Sequence, residues 1–237
     1  MVFALPQFQH TEYLARVSTN SKADIVVLIS PGWNEQSLEL LLTNLWMSGF
    51  SVWFVLFPLH AQHPEDMYHS IQDVLLLHKK PIVVAQEFAG SLFIDHSEEF
   101  APQISGLALL GSPLSFYCAP DFLQALQHNT WSKFENPPIQ NANISFHEYL
   151  REKCAKPISL DMHIPIENLW VATTNTHPFA PPESIRPVLQ NHHKFVRSGP
   201  LALHGTEPTF MELYTHSPTL HEMTSWLLYI TKKEQKQ

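Results

Sequence analysis

The stretch Lys80-Pro-Ile-Val-Val-Ala-Gln-Glu-Phe-Ala-Gly-Ser91 decides how the rest of the chain is read. Ile82, Val83, Val84 and Ala85 form an unbroken apolar run, as in a strand covered on both faces. Gln86-Glu87-Phe88 interrupts the run, and the small residues Ala85, Ala89 and Gly90 flank the break. Small neighbours suit a strand that turns sharply into a helix, where side chains have no room. The expectation is a short buried strand, a tight turn with Glu87 at its apex, and a helix from Phe88 onward.

The same rhythm extends toward the N-terminus. Asp24 to Ser30 reads as a core strand, followed by the loop Pro31-Gly32-Trp33-Asn34. Glu35 to Ser48 has a broad apolar face of leucines, with Gly49 in the position that ends helices. Ser51 to Phe57 is a second core strand, stopped by Pro58. Pro64 to His78 is a helix with proline in its first turn. Glu12 to Val17 supplies an edge strand. Downstream, Ile104 to Leu110 is a strand that ends at Gly111-Ser112-Pro113.

The pattern then breaks. Between Ser115 and Met162 no clean strand occurs, and Phe122–Gln127 and Ser145–Lys153 read as helices around Asn136-Pro-Pro-Ile. This segment reads as an insertion over the sheet edge, either a lid or a partner surface. Ile166 to Ala172 resumes as a strand. Pro182–Gln190 is helical, His193–Arg197 is a less buried strand, and Thr219–Ile230 closes the chain as an amphipathic helix. Such alternation predicts an α/β fold, with a mostly parallel central sheet and helices on both faces. One domain spans residues 1–237, with a mainly helical cap at about 115–162. Right-handed crossovers bring the loops that follow the strands to one edge, where such sheets bind ligands.

Composition narrows the function classes. The chain has 237 residues, 44% apolar, enough for one sizeable core. Formal net charge is -8 with 14 Lys and Arg, which argues against nucleic acid as a partner. Cys118 and Cys154 are two cysteines, too few for a disulfide framework, and are read as ordinary thiols. The start Met1-Val-Phe-Ala-Leu-Pro6 lacks a basic segment and meets proline early, so it is not read as a secretory leader. No apolar run nears the roughly 20 residues of a membrane helix. A cytoplasmic protein without membrane insertion is expected.

In order along the chain, several segments resemble those of the α/β-hydrolase superfamily. Leu28-Ile-Ser-Pro-Gly-Trp33 resembles its first-strand loop, and Leu56-Phe-Pro-Leu-His-Ala61 resembles the D-L-P-G-H-G segment after the next strand. Ala85-Gln-Glu-Phe-Ala-Gly90 resembles the nucleophile elbow, G-x-S-x-G, with Glu87 in place of the serine. Gly106 to Pro113 resembles the strand after the elbow. His177-Pro-Phe-Ala-Pro-Pro-Glu-Ser184 resembles the run that carries the triad acid, with His177 in place of the aspartate. The resemblance covers roughly residues 24 to 230. It implies that Trp33 and Phe88 would offer the backbone N–H groups of an oxyanion hole. For the triad histidine it implies His216, before the last helix, or second His204 in Leu203-His-Gly205.

These replacements decide the chemistry expected. Acyl transfer needs a nucleophile, a base and an orienting acid that stabilises the imidazolium. His177 cannot do that as an anion. Glu87 as a nucleophile would place its oxygen roughly 1.5 Å beyond an aspartate's, and misplacement of about 1 Å can cost roughly 100-fold. Glu87 as a general base on water, with His216, is easier, since a base need only reach a proton. The favoured reading is a carboxylate held at a helix N-terminus. Ser30, Ser91 and Ser112 are read as turn or cap hydroxyls. His60, His63, His192 and His193 lack a ligand cluster at a recognised spacing, so neither a metal nor a cofactor is expected. Trp33, Trp46, Trp53 and Trp170 are read as core. The cap aromatics Phe116, Tyr117, Phe122, Trp131 and Phe134 suit equally an acyl pocket or a protein interface.

The sequence therefore reads as a degenerate, catalytically inactive α/β-hydrolase-like protein serving as a binding or assembly subunit with a protein partner. The alternative is a hydrolase of altered mechanism that uses Glu87 and His216 on an ester or thioester. An acyl or small apolar ligand fits either reading.

Overall fold

In the computed structural model, residues 2–4, 12–30, 38–57, 64–114, 120–128, 144–155, 164–174, 177, 180, 182, 185, 196–198 and 213–235 are described. Eight strands form one sheet: β1 (Val2–Ala4), β2 (Glu12–Arg16), β3 (Asp24–Ile29), β4 (Ser51–Leu56), β5 (Ile82–Gln86), β6 (Gly106–Leu110), β7 (Leu169–Ala172) and β8 (Val196–Ser198). Their order is β1-β2-β4-β3-β5-β6-β7-β8. Strand β2 runs antiparallel to both β1 and β4, and every other pairing is parallel.

The apolar runs reflect burial from both sides. Val26, Leu28, Val83, Ala85, Leu107 and Leu109 pack on one face beneath α2 (Pro64–Leu76) and α3 (Glu87–Asp95). Ile25, Val27, Val84, Ala108, Leu110 and Trp170 pack on the other face. There they meet Leu41, Leu42 and Leu45 of α1 (Glu39–Met47), and Met223, Trp226 and Leu227 of the C-terminal helix. The registers Ile25↔Ile82, Val84↔Ala108 and Ala108↔Trp170 carry that alternation across the sheet. A one-residue slip would exchange the two faces, so the pairing is strongly specified. Gly49 takes φ +91 directly after α1, the left-handed turn that glycine adopts without penalty.

A short helix, α4 (Ser97–Phe100), follows α3 and was not expected from the pattern. Within residues 115–162 lie α5 (Pro120–His128) and α6 (Ile144–Ala155). Leu150 of α6 is fully buried in the same core as α2 and α3. Helix α7 (Ser217–Glu234) closes the chain and is longer than the amphipathic stretch predicted it. Pro182 and Ile185 are helical, and the rest of 182–190 lies outside the described residues. Among the described residues no helix is long and apolar enough to cross a membrane.

Two readings need correction. Cys154 is disulfide-bonded and no described cysteine is free. The sequence has one other cysteine, Cys118, so the reading of two ordinary thiols, and its support for a reducing compartment, falls away. Trp46 was assigned to the core but is 40% exposed. It follows Leu45, which takes the inward position on that turn of α1. Trp170 is buried and Trp53 packs against the core, whereas Trp33 lies outside the described residues.

Helix α3 passes close to β6 because residue 90 lacks a side chain. A Cβ on Gly90 would stand 2.1 Å from Ser112 Oγ and 2.6 Å from Ser112 Cβ. Gly90→Ala is expected to destabilise the fold by about 1–3 kcal/mol through overpacking. Adding Ser112→Gly should recover much of the loss in urea unfolding. An unchanged midpoint for Gly90→Ala would refute the close approach.

Candidate functional site

Glu87 stands at the apex of the strand-to-helix turn. Gln86, the last residue of β5, is extended at φ -102, ψ 133. Glu87 then takes φ 45, in the left-handed region, and α3 begins there. A non-glycine residue in that region costs about 1–2 kcal/mol. The turn is held from β3. Ser30 Oγ donates to the Gln86 carbonyl at 2.6 Å and accepts from Ala89 N at 3.1 Å, and Ser30 N donates to Gln86 Oε1 at 3.2 Å. One serine thus ties the strand before the apex to the helix after it.

The Glu87 carboxylate is 1% exposed and accepts a hydrogen bond from Tyr214 Oη at 3.1 Å. The Leu110 carbonyl lies 3.4 Å from the same phenol oxygen. Burial, and then the negative charge of Glu87, hold the Tyr214 hydroxyl well above its usual pKa, so it stays a donor. Gln86 Nε2 is buried without a hydrogen-bond partner among the described residues, yet the Gln86 side chain lies near enough to Tyr214 to act in the opposite direction.

His177 follows β7 on the same edge. It is 2% exposed, and its Nδ1 accepts from Ala180 N at 3.2 Å, which leaves the ring proton on Nε2. Burial lowers its pKa to about 3, so the ring is neutral at physiological pH. Gly111, at φ +59, separates His177 from Tyr214. A Cβ there would stand 2.4 Å from His177 Nε2 and 3.1 Å from Tyr214 Oη. Residues from the ends of β5, β6 and β7 and the lead into α7 therefore pack as one buried polar group.

His216 has a different task. It caps α7, with Nδ1 2.8 Å from Thr219 Oγ1 and accepting from Thr219 N at 3.4 Å. Tyr214, two residues earlier, is the residue of this loop that reaches Glu87. The sequence pattern does not single it out, because the resemblance calls for a histidine at this place. A polar aromatic within two positions of the expected triad histidine was the available signal. His204 and Trp33 lie outside the described residues, as do His60, His63, His192 and His193. Phe88 is buried in the first turn of α3. The candidate serines are held by the main chain: Ser91 Oγ donates to the Pro113 carbonyl at 2.9 Å, and Ser112 Oγ to the Ala85 carbonyl at 3.3 Å. Among the described residues no group of three or more His, Cys, Asp or Glu is placed to hold a metal ion.

A parallel sheet of this order, its antiparallel second strand and a left-handed turn after β5 define a class, and solved structures share it. The chain aligns over 94% of its length with the whole of the Paleococcus ferrophilus monoacylglycerol lipase, at TM-score 0.65 and 14% identity. It aligns over 98% with 99% of MGS-MChE2, an α/β hydrolase enzyme from the metagenome of sediments of the Mar Chica lagoon, at TM-score 0.66 and 11% identity. Mouse α/β hydrolase domain-containing protein 10 matches with the same coverages and TM-score at 10% identity. The chain has the α/β-hydrolase fold, and at these identities the likeness is one of fold alone. No protein-family model matches it, nor does any curated protein sequence.

Two outcomes follow. Tyr214→Phe should destabilise the protein by about 1–3 kcal/mol, because a buried carboxylate loses a donor. Equal unfolding free energies in urea would remove Tyr214 from the site. His177 has a folded pKa below its unfolded value, so the unfolded chain binds the extra proton between pH 6.5 and about 3. Its contribution is whole above pH 6.5 and declines as pH falls toward 3, by on the order of 1 kcal/mol per pH unit. His177→Asn keeps an acceptor for Ala180 N and should flatten that slope in unfolding measured from pH 7 to 4.

Proposed function

We propose that this protein is a single-domain, catalytically inactive member of the α/β-hydrolase fold that serves as a binding or assembly subunit of a larger protein complex. The observation that carries the reading is Glu87, a carboxylate 1% exposed at the nucleophile position and engaged by Tyr214. A carboxylate so enclosed presents no face to a substrate carbonyl, and the neutral His177 offers no anion to support an imidazolium. Ser30, Ser91 and Ser112 spend their hydroxyl protons on main-chain carbonyls, so none serves as a replacement nucleophile. The hydrolase alternative needs His216 as a partner of Glu87. That imidazole is committed to Thr219 at the start of α7, which weighs against it.

On this reading its cap, which carries Phe116, Tyr117, Phe122, Trp131 and Phe134, contributes the contact surface for a protein partner. Turnover of p-nitrophenyl acetate, p-nitrophenyl butyrate and an acyl-thioester should equal the buffer rate, and Glu87→Ala should not change it. Ester cleavage that disappears in Glu87→Ala would overturn the inactive half of the proposal. Native mass measurement of the tagged protein purified from its own host should give a stoichiometric complex. A lone 27.2 kDa species would overturn the assembly half.

A further inference from the structure

The amino edge of the sheet, opposite the candidate site, carries a cavity of about 430 Å³. Its walls come from the chain entering β3, the chain entering β5, Ser105 before β6 and the last turn of α7. The length of β3 puts it roughly 17 Å from the elbow, at about 3.3 Å per residue. This inference does not depend on the function proposed above.

Charge is distributed unevenly here. The chain has only 14 Lys and Arg against 22 Asp and Glu, yet Lys22, Lys79 and Lys80 all line this one cavity. Elsewhere Lys153 pairs with Asp95, and Lys233 with Glu167 at 2.8 Å. Among the described residues, none of the three cavity lysines has a carboxylate within ion-pair distance. Lys22 Nζ is anchored by the Ser48 carbonyl at 2.8 Å. Two carboxylates share the lining, Asp24 and Glu234. Asp24 is engaged by His78 Nδ1 at 3.1 Å, whereas Glu234 is exposed at the end of α7.

Backbone strain adds an independent observation. Lys80 takes φ 50, left-handed, directly before Pro81. Glycine or asparagine would adopt that conformation at lower cost. The turn is enforced from β6, where Ser105 Oγ donates to the Lys80 carbonyl at 2.9 Å and Ser105 N to the Pro81 carbonyl at 3.0 Å. A lysine held where a glycine would be easier is a strained position of the kind that accompanies functional sites.

Three ammonium groups, each with up to three donors, suit a tetrahedral dianion with several acceptor oxygens. The volume falls within the range of small-ligand sites. We propose that this cavity binds a small phosphorylated molecule, with Lys22, Lys79 and Lys80 around its phosphate group. The phosphate could reach the site as the free ion or as an organic monoester, and the two are separable by titration.

Isothermal titration of the full chain with inorganic phosphate and, separately, with glycerol 3-phosphate is expected to give saturable one-site binding. Similar affinities would identify the free ion as the ligand, and tighter monoester binding would identify an ester. Replacing two of the three lysines, Lys79→Gln with Lys80→Gln, should weaken binding about tenfold or more, as expected for lost charge-assisted hydrogen bonds. Glu234→Gln removes a repelling carboxylate and should tighten it. Lys232→Gln, near the same helix end but outside the cavity lining, should leave it unchanged. No saturable binding, or equal weakening by Lys232→Gln, would overturn the proposal and leave an adventitious ion only.

Discussion

Ser30 holds the turn on which the rest of the site depends. Its hydroxyl and amide make three hydrogen bonds across the junction of β5 and α3, all buried. A left-handed residue at the junction is otherwise unfavourable, and α3 can follow it only by passing within contact of Ser112 at Gly90. The clamp and the missing side chain together fix where residue 87 points.

What that side chain is then determines everything around it. A buried carboxylate must be hydrogen-bonded, since an unpaired one would cost several kcal/mol. Tyr214 supplies a bond from 127 residues away, and so couples the lead into α7 to the elbow. The same demand for neutrality acts on His177. Burial keeps the imidazole uncharged, and its Nδ1 is satisfied by Ala180 N. Glutamate at 87 and histidine at 177 are mutually consistent as a closed polar cluster in a way that they are not as a catalytic pair.

How legible was this in the sequence? Strands β3, β4, β5 and β6 were readable because burial on both faces leaves continuous apolar runs, and α1, α2 and α7 because burial on one face leaves a helical period. The turn at Glu87 was readable from the small residues around it. Strand β1 was not, since three residues at a sheet edge, Val2–Ala4, carry no period of their own. Helix α4 is a single turn with too few residues to show a face. The Cys154 disulfide was missed because a count of two cysteines says nothing about their separation in space. Tyr214 was missed for a related reason. Hydrogen bonds between residues far apart in sequence leave no local pattern, and only the topology brings the end of β5 beside the lead into α7.

The two edges of the sheet follow opposite electrostatic rules, and the contrast bears on where ligands can act. At the carboxyl edge, among the described residues, Glu87 is buried and bonded by Tyr214, and His177 is buried and neutral. At the amino edge, three lysines remain exposed around a cavity, without carboxylate partners among the described residues. Exposed ammonium groups keep their hydration and cost the fold little, whereas unpaired charges at the carboxyl edge would be severely penalised by desolvation. Only the exposed edge can therefore retain uncompensated charge without destabilising the core. An acidic chain that gathers three of its 14 Lys and Arg around one cavity at that edge places an attraction for anions on the side of the sheet away from Glu87.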